Sequence, residues 1–289
     1  LAALANPSAT AQSSDAATKS PAHYSVAEWT AAIDARWGPG DSDAKKLQLF
    51  DTWWNDLNLK FGGFHGIELD LPAMKAEYRP EIQSGVSAGR FPGIMNHFTF
   101  RLKEMHTYIW DNRVRNTGLS AGVPMMVIGH YGDNRRFGAL LSVLPDSTLM
   151  VYETIDNHPL GLEPGDVVLG YDGVLWKDIY PTLLAAELPI LLNPIHANTD
   201  EANYHYLMQA AGLNWHLFDA IDIRKYSTGE TQHFSTSVLA GMTQTIWGKD
   251  QIAPPGVPWP DRSAGDRVGH GVIDGTNVGF VTVTSWSFT

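Results

Sequence analysis

Apolar residues in the first third of the chain recur at helical spacing. Between Asp43 and Phe61 they return every three or four positions, which places them on one face of a buried helix. These positions are Leu47, Phe50, Trp53, Trp54 and Leu57. Upstream, Ser25 and Glu28 have the spacing of a capping box, in which the two side chains bond reciprocally to free helix amides. They predict a shorter helix that ends near residues 38–40 (Gly-Pro-Gly).

Two further helices are predicted before the pattern changes. One covers about Leu71 to Ile82, with Pro80 expected to distort its end. The other runs from Phe91 through Phe98, Leu102 and Met105 to Ile109. We therefore predict a helical N-terminal domain over residues 24–118.

After Gly118 the apolar runs become short and are separated by Gly, Asp and Pro, which is typical of small β domains. The predicted strands are Met125–Ile128, Ala139–Leu144, Leu149–Thr154 and Val167–Tyr171. Asp172 and Gly173 predict a tight hairpin turn, and a helix is predicted from Tyr180 to Leu192. We assign residues 119–215 to this β domain.

The last part of the chain again has the pattern of strands. The predicted segments are Phe218–Ile223, Phe234–Val238 and Val278–Trp286, with a Pro-rich extended loop over residues 253–269. We assign residues 216–289 to the beginning of a third domain. The predicted fold class is therefore a multidomain α+β protein.

Composition narrows the possible functions. The 289 residues carry a formal charge of −11, which disfavours a nucleic-acid partner, because such partners are bound through phosphates. The chain has no cysteine, so disulfides, thiolate metal sites and cysteine nucleophiles are excluded. No stretch has the roughly 18 apolar residues of a membrane-spanning helix. Eleven histidines are scattered without metal-ligand spacing, so no metal site is expected. The glycine-rich motifs that bind nucleotides are missing from the sequence, and no cofactor is expected.

Residues 1–23 allow two interpretations. The opening Leu-Ala-Ala-Leu-Ala and the later Ala9-Thr10-Ala11 resemble the end of a signal peptide and its small-residue cleavage site, which predicts export. The alternative is a disordered tail rich in Ala, Ser and Thr, which lacks the apolar side chains needed to fold.

Two sequence positions are candidates for catalysis. Ser42 and Lys45 form a Ser-x-x-Lys pair, although Ser42 beside a Gly-Pro-Gly turn is better interpreted as a helix cap. His106 lies where the predicted fourth helix approaches its end. There it could act as a general base in a cleft or be a hydrogen-bonded structural histidine, and its spacing alone favours the structural role.

Three segments resemble the tricorn-core and C-terminal-processing serine peptidases. The first extends from Phe50 to Tyr108 and ends in Leu102-Lys103-Glu104-Met105-His106-Thr107-Tyr108. The second, residues 161–173 (GLEPGDVVLGYDG), is similar to their PDZ-like domain and is the most specific of the three. The third, residues 275–286, is similar to the strand that opens their crotonase-like catalytic domain.

The resemblance implies roles for particular residues. In tricorn-like members the histidine at the position of His106 is the general base, whereas in the Ser-Lys branch it is structural. Met105 departs from the tricorn-like pattern, which has a serine there that can orient the imidazole. The nucleophilic serine is expected after the last strand, beyond residue 289.

The PDZ-like part implies peptide capture at Arg136, Phe137, Gly138 and Ala139, with Arg135 or Arg136 attracting a terminal carboxylate. The alternative for this loop is a tight strand entry with solvated arginines.

Together these features predict an exported serine peptidase, periplasmic or secreted, that cleaves peptide bonds near protein C-termini or in short peptides. Two alternatives from other classes stay open: a non-catalytic PDZ-like peptide-binding protein, and a relative of the family that binds a small hydrophobic ligand. Association with the rest of a catalytic domain, or with further copies of the chain, is also open.

Overall fold

The computed structural model describes residues 19–62, 69–104, 107–117, 122–128, 137–191, 199–242, 244, 246 and 254–283. Contacts divide the chain into two units, one ending at Ile246 and the other beginning at Trp247. In the first unit, helices are followed by an antiparallel sheet, which confirms the predicted α+β class. Its PDZ-like and crotonase-like character stays a prediction, as do the domain limits.

The α-helices of the described residues all lie in the first unit. They are α1 (Val26–Trp37), α2 (Asp43–Lys60), α3 (Leu71–Ser84), α4 (Arg90–Arg101), α5 (Asn112–Thr117), α6 (Trp176–Ala185) and α7 (Asp200–Gln209). The predicted capping box at α1 is present: Glu28 N donates to Ser25 Oγ at 3.3 Å, and Ser25 N donates to Glu28 Oε2 at 2.6 Å. Reciprocal capping of this kind fixes where a helix begins.

The sheet is antiparallel throughout its described strands. These are β1 (Ala139–Val143), β2 (Leu149–Thr154), β3 (Val167–Tyr171), β4 (Val174–Leu175), β5 (Ala220–Arg224) and β6 (Thr231–Ser235). Their order is β1-β2-β3-β5-β6, with β4 also paired to β3. Strands β5 and β6, which the sequence analysis placed in the third domain, therefore belong to the same sheet as β1 to β4.

Four element predictions were wrong in detail. The predicted strand Phe234–Val238 is the end of β6, which spans Thr231–Ser235, followed by a 3₁₀ turn at Thr236–Leu239. Helix α4 ends at Arg101 instead of continuing to Ile109, because Lys103 adopts a left-handed backbone conformation (φ 50°). Residues 125–128 form one parallel bridge, between Met126 and Ile190, instead of a strand. Helix α6 begins at Trp176 and ends at Ala185, several residues before the expected Leu192.

Two clusters of buried side chains form the core of the first unit. In the helical cluster, the ring of Phe98 is contacted edge-on by Phe50 and Trp53, with ring centroids 6.0 and 4.8 Å away. The other cluster lies between the sheet and its helices, where Tyr171 stacks on Phe218 at 4.5 Å. Such aromatic pairs contribute about 0.5–1.5 kcal/mol beyond the burial of their surface. They position the helices that flank the sheet.

A junction around Glu187 joins the helices to the sheet layer. Tyr78 Oη donates to Glu187 Oε1 at 2.5 Å, and Arg90 Nη1 lies 2.8 Å from Glu187 Oε2. Gly93 of α4 packs so closely on the carbonyl oxygen of Glu187 that a Cβ would overlap it. Residues after Glu187 are also held by α4, since His97 Nε2 lies 3.0 Å from the carbonyl oxygen of Leu188.

The second unit contains an antiparallel hairpin, formed by β7 (Val268–Val272) and β8 (Gly279–Val283). The preceding Pro-rich loop packs on this hairpin, where Pro258 contacts Gly269 and the backbone of Gly256 contacts Gly271. Several apolar side chains of this unit are exposed: Val268, Val272, Val278, Phe280 and Val281.

Candidate functional site

Strand β1 lies at one edge of the sheet that the described residues form. Ile155 N donates to the carbonyl of Gly138, and Leu144 N donates to the carbonyl of Thr148, both at 2.9 Å. These bonds fix the alternation along β1, so its even-numbered residues face β2. The N–H and C=O groups of Ala139, Leu141 and Val143 therefore point away from the sheet. Within the described residues no backbone group pairs with them.

Three of the four predicted binding residues lie at the entrance to β1. Gly138 has a φ of 76°, and a Cβ there would approach Ile155 Cδ1 to 2.9 Å, so the turn requires glycine. Ala139 is buried and begins the strand. Phe137 is buried too: its ring packs against Gly212, and its carbonyl oxygen lies 2.5 Å from His158 Nε2. Arg136, together with Arg135, lies outside the described residues.

Helix α7 packs beside β1 and was missed in the sequence analysis. Its Tyr204 hydroxyl donates to Ser147 Oγ at 2.5 Å, which ties the helix to the turn between β1 and β2. The helix could have been found from its first turn. Thr199 Oγ1 accepts from Ala202 N at 3.2 Å, and Asp200 and Glu201 follow the cap, which is the usual pattern of a helix start.

The most specific motif, residues 161–173, is held by two aspartates. Asp166 is fully buried and accepts hydrogen bonds from Glu163 N and Tyr226 N, both at 2.9 Å, and from the Lys225 ammonium. Burial alone would raise the pKa of Asp166, but Lys225 and the two amides outweigh it and hold that pKa below its usual value.

Asp172 closes the other end of this motif. It accepts from Ala220 N and from Ser20 Oγ, both at 2.7 Å. Asp172 and Gly173 both have positive φ, as the predicted two-residue hairpin turn requires. The two aspartates of the motif thus hold its loops.

The predicted general base, His106, lies outside the described residues. Residues that follow it are anchored: Thr107 Oγ1 donates to Glu104 Oε2 at 2.7 Å, and Asn96 Nδ2 donates to the carbonyl of Ile109 at 3.3 Å. Ser42, the other candidate, accepts from Lys45 N at 3.3 Å and caps α2. Its position matches the interpretation as a helix cap.

One Asp-His pair was missed by the sequence analysis. Asp222 on β5 and His233 on β6 are cross-strand partners, and Asp222 Oδ1 lies 2.5 Å from His233 Nδ1. The carboxylate is buried and also accepts from Gly173 N at 2.7 Å, whereas the imidazole is exposed. An aspartate in this position orients the imidazole, as in a catalytic Asp-His pair. Among the described residues, however, no hydroxyl donates to the His233 imidazole, so no nucleophile is paired with it. The sequence separation of eleven residues gave no signal until the pairing of β5 with β6 was known.

The described residues contain no group of three side chains suited to hold a metal ion. Among them there is also no helix with the length and apolar character needed to cross a bilayer.

Comparison with known proteins gives a distant structural match. Neither a known protein family nor a curated protein sequence matches the chain. Two crystal structures of CPAF, a chlamydial serine protease, are similar in structure. Mature CPAF matches 83% of this chain with a TM-score of 0.45 and 11% identity, and a serine-to-alanine mutant matches 66% with a TM-score of 0.42 and 13% identity. The chain corresponds to 46% and 33% of the length of these two CPAF chains. At these scores the likeness assigns neither a family nor an activity to this chain.

Proposed function

We propose that this chain is the peptide-binding part of an exported serine peptidase, which acts near protein C-termini or on short peptides. Peptide binding is proposed from the backbone groups at the edge of β1. Its outward N–H and C=O groups at Ala139, Leu141 and Val143 match the backbone pattern that an added peptide strand needs.

The surroundings of β1 support this proposal. The rigid left-handed turn at Gly138 stands at the start of the strand, where a terminal carboxylate could meet backbone amides. Helix α7 packs against the strand and could contact the side chains of a bound peptide. The opposite edge, β6, exposes most of its side chains and has no described helix packed closely along it. We therefore assign peptide binding to β1 rather than β6.

The catalytic part of the proposal rests on the sequence resemblance. His106 would take the proton of a serine as that serine attacks the scissile carbonyl, and return it to the leaving amine. The serine would come from the polypeptide beyond residue 289. Export is proposed from residues 1–11 alone.

Peptide binding at β1 can be tested by removing a single outward N–H. Val143→Pro removes such a donor without touching the bonds to β2, because the amide of Val143 faces away from β2. Thr231→Pro makes the same change on β6, since the hydrogen bond from Thr236 N to the carbonyl of Asp219 makes the odd-numbered residues of β6 face outward. A fluorescent peptide with a free C-terminus should bind the wild type and Thr231→Pro equally, and Val143→Pro about tenfold more weakly. Equal binding by all three would refute the assignment to β1.

Catalysis can be tested with a fluorophosphonate, which modifies activated serines. The natively produced polypeptide should be labelled, and His106→Ala should remove the labelling. Labelling that is unchanged in His106→Ala would exclude this histidine as the base. Specific peptide binding without any labelling would support the non-catalytic alternative.

A further inference from the structure

A cavity of about 280 Å³ lies between helix α2, the start of α4 and the segment that leads into α5. Its lining includes Leu49 from α2, Phe91 from α4, and Trp110 and Arg113 from the segment around the start of α5. None of these residues belongs to the edge of β1. The volume lies just below the roughly 300–1,000 Å³ of most small-molecule pockets, so it suits one large side chain.

Two exposed apolar side chains line this cavity, among polar neighbours that form about half of its lining. Leu49 is 43% exposed and Trp110 is 47% exposed, and both line the same opening. Tyr108, also exposed, has its ring 5.8 Å from that of Trp110. Single exposed apolar residues are common on proteins, but several that converge on one concave site indicate a binding surface.

The Trp110 side chain is held before any ligand arrives. The Arg115 guanidinium lies 4.1 Å from the centre of the indole, within the range of a cation–π contact. Asp111 Oδ1 accepts from Arg113 N at 2.7 Å and fixes the chain at the next residue. A fixed aromatic ring loses little conformational entropy on binding, which favours affinity.

The four charged side chains that line the cavity cancel in formal charge, since Lys46 and Arg113 are cationic and Asp41 and Asp111 are anionic. Lys46, nearly fully buried, donates to the carbonyls of Pro39 at 2.7 Å and Val86 at 2.5 Å and to Asp43 Oδ1 at 3.3 Å. Its three N–H groups are thus already used. The Lys46 ammonium therefore has no N–H left for an anionic ligand side chain.

Asp41, Asp111 and Arg113 place both signs of charge in the same cavity, so a charged ligand of either sign meets attraction and repulsion together and gains no net pairing for its lost hydration. Asp41 and Asp111 both line the cavity, and Asp41 Oδ2 lies 3.7 Å from Arg113 Nη2. At this distance the guanidinium keeps N–H groups that can donate to the carbonyl oxygens of a peptide.

We propose that this cavity binds a bulky uncharged side chain of a peptide, aromatic or branched aliphatic, between Leu49, Phe91 and Trp110. The inference rests on the proposed function in one respect, that the ligand is a peptide. It adds a second contact region, separate from β1, that selects the peptide by one internal residue.

The test uses peptides of the form acetyl-Gly-Gly-X-Gly-Gly-amide, with X as Phe, Leu, Ala, Lys or Glu. The amide end removes the terminal carboxylate, so capture of a C-terminus does not contribute. Saturation-transfer NMR titrations of the full chain should show the Phe and Leu peptides binding about tenfold tighter than the other three. Trp110→Ala and Leu49→Ala should each weaken binding of the Phe peptide about five- to tenfold.

Leu59→Ala is the matched control, because Leu59 lies on the same helix as Leu49, is 78% exposed and does not line the cavity. It should bind the Phe peptide as the wild type does. Equal binding of all five peptides, or a Phe preference that survives Trp110→Ala and Leu49→Ala, would overturn the inference. A preference for Phe that depends on Trp110 would sustain it even if fluorophosphonate labelling fails and the peptidase proposal falls.

Discussion

Replacing the buried carboxylate of Asp166 by an amide should destabilise the protein strongly. In Asp166→Asn the side chain keeps its shape but has one acceptor oxygen, where the carboxylate accepts from Lys225, Glu163 and Tyr226. Its NH₂ group must then face one of the two backbone N–H groups. An unsatisfied buried amide costs about 1–3 kcal/mol, and losing the charge partner of the mostly buried Lys225 adds to this. We expect a loss of about 3 kcal/mol in the free energy of unfolding at pH 7.

Urea unfolding followed by circular dichroism measures this loss. Asp156→Asn is the control, because Asp156 is exposed, and it should change the free energy of unfolding by less than about 0.5 kcal/mol. The double variant Asp166→Asn with Lys225→Met should be more stable than Asp166→Asn alone, since it no longer buries an unpaired ammonium.

The pH dependence gives an independent check. Because the pKa of Asp166 is lowered in the folded protein, its contribution to stability is present above the unfolded value of about 3.9 and is lost as pH falls through the folded value. The difference between wild type and Asp166→Asn should therefore narrow below about pH 4. A loss under about 1 kcal/mol at pH 7, or a difference that is constant from pH 7 to 3, would refute this account of the motif.

Three further predictions concern other positions. Gly93→Ala should cost about 3 kcal/mol or more in thermal unfolding, because its Cβ would overlap the backbone of Glu187, whereas Gly62→Ala, with open space around it, should be close to neutral. His97 is buried, which lowers its pKa, so its imidazole stays neutral in the folded protein while the unfolded chain takes up a proton below about pH 6.5. Stability should therefore fall from pH 7 to 5.5, and fall less in His97→Gln; equal slopes in urea titrations would contradict this. Ser42→Ala should lower stability by about 1 kcal/mol, as loss of a helix cap does, and leave any peptide hydrolysis unchanged. Loss of hydrolysis with unchanged stability would instead indicate a catalytic serine.

Local sequence signals identified most of the helical layer. The capping box at Ser25 and the apolar repeat from Leu47 to Leu57 depend on neighbours within a few residues, and both match the structure. The turn at Asp172 and Gly173 was also predictable, since it depends on the backbone preferences of two adjacent residues.

Features set by distant contacts were not predictable in this way. The apolar run at residues 125–128 has the composition of a strand. However, the backbone N–H and C=O of Val127 both bond to the side chain of Asn214, 87 positions away, instead of to a neighbouring strand. Helix α7 has a recognisable start at Thr199 but no clear apolar repeat, and its place beside β1 depends on contacts with residues distant in the sequence. Of the candidate site, the sequence indicated Gly138 and its neighbours, whereas the outward alternation of β1 required the register with β2.

During synthesis, the contacts that α4 makes with the segment after Glu187 cannot form until that segment has been made. His97 and Leu188 are 91 residues apart, and Asn96 and Ile190, whose N–H donates to the Asn96 side chain, are 94 apart. At about 5–20 residues per second, a ribosome needs roughly 5–20 seconds to make the intervening segment. Throughout that interval α4 has been synthesised, but the residues that it contacts at this junction have not. The hydrogen bonds that join Asn96 and His97 to this segment can therefore form only after residues 188–190 have been made.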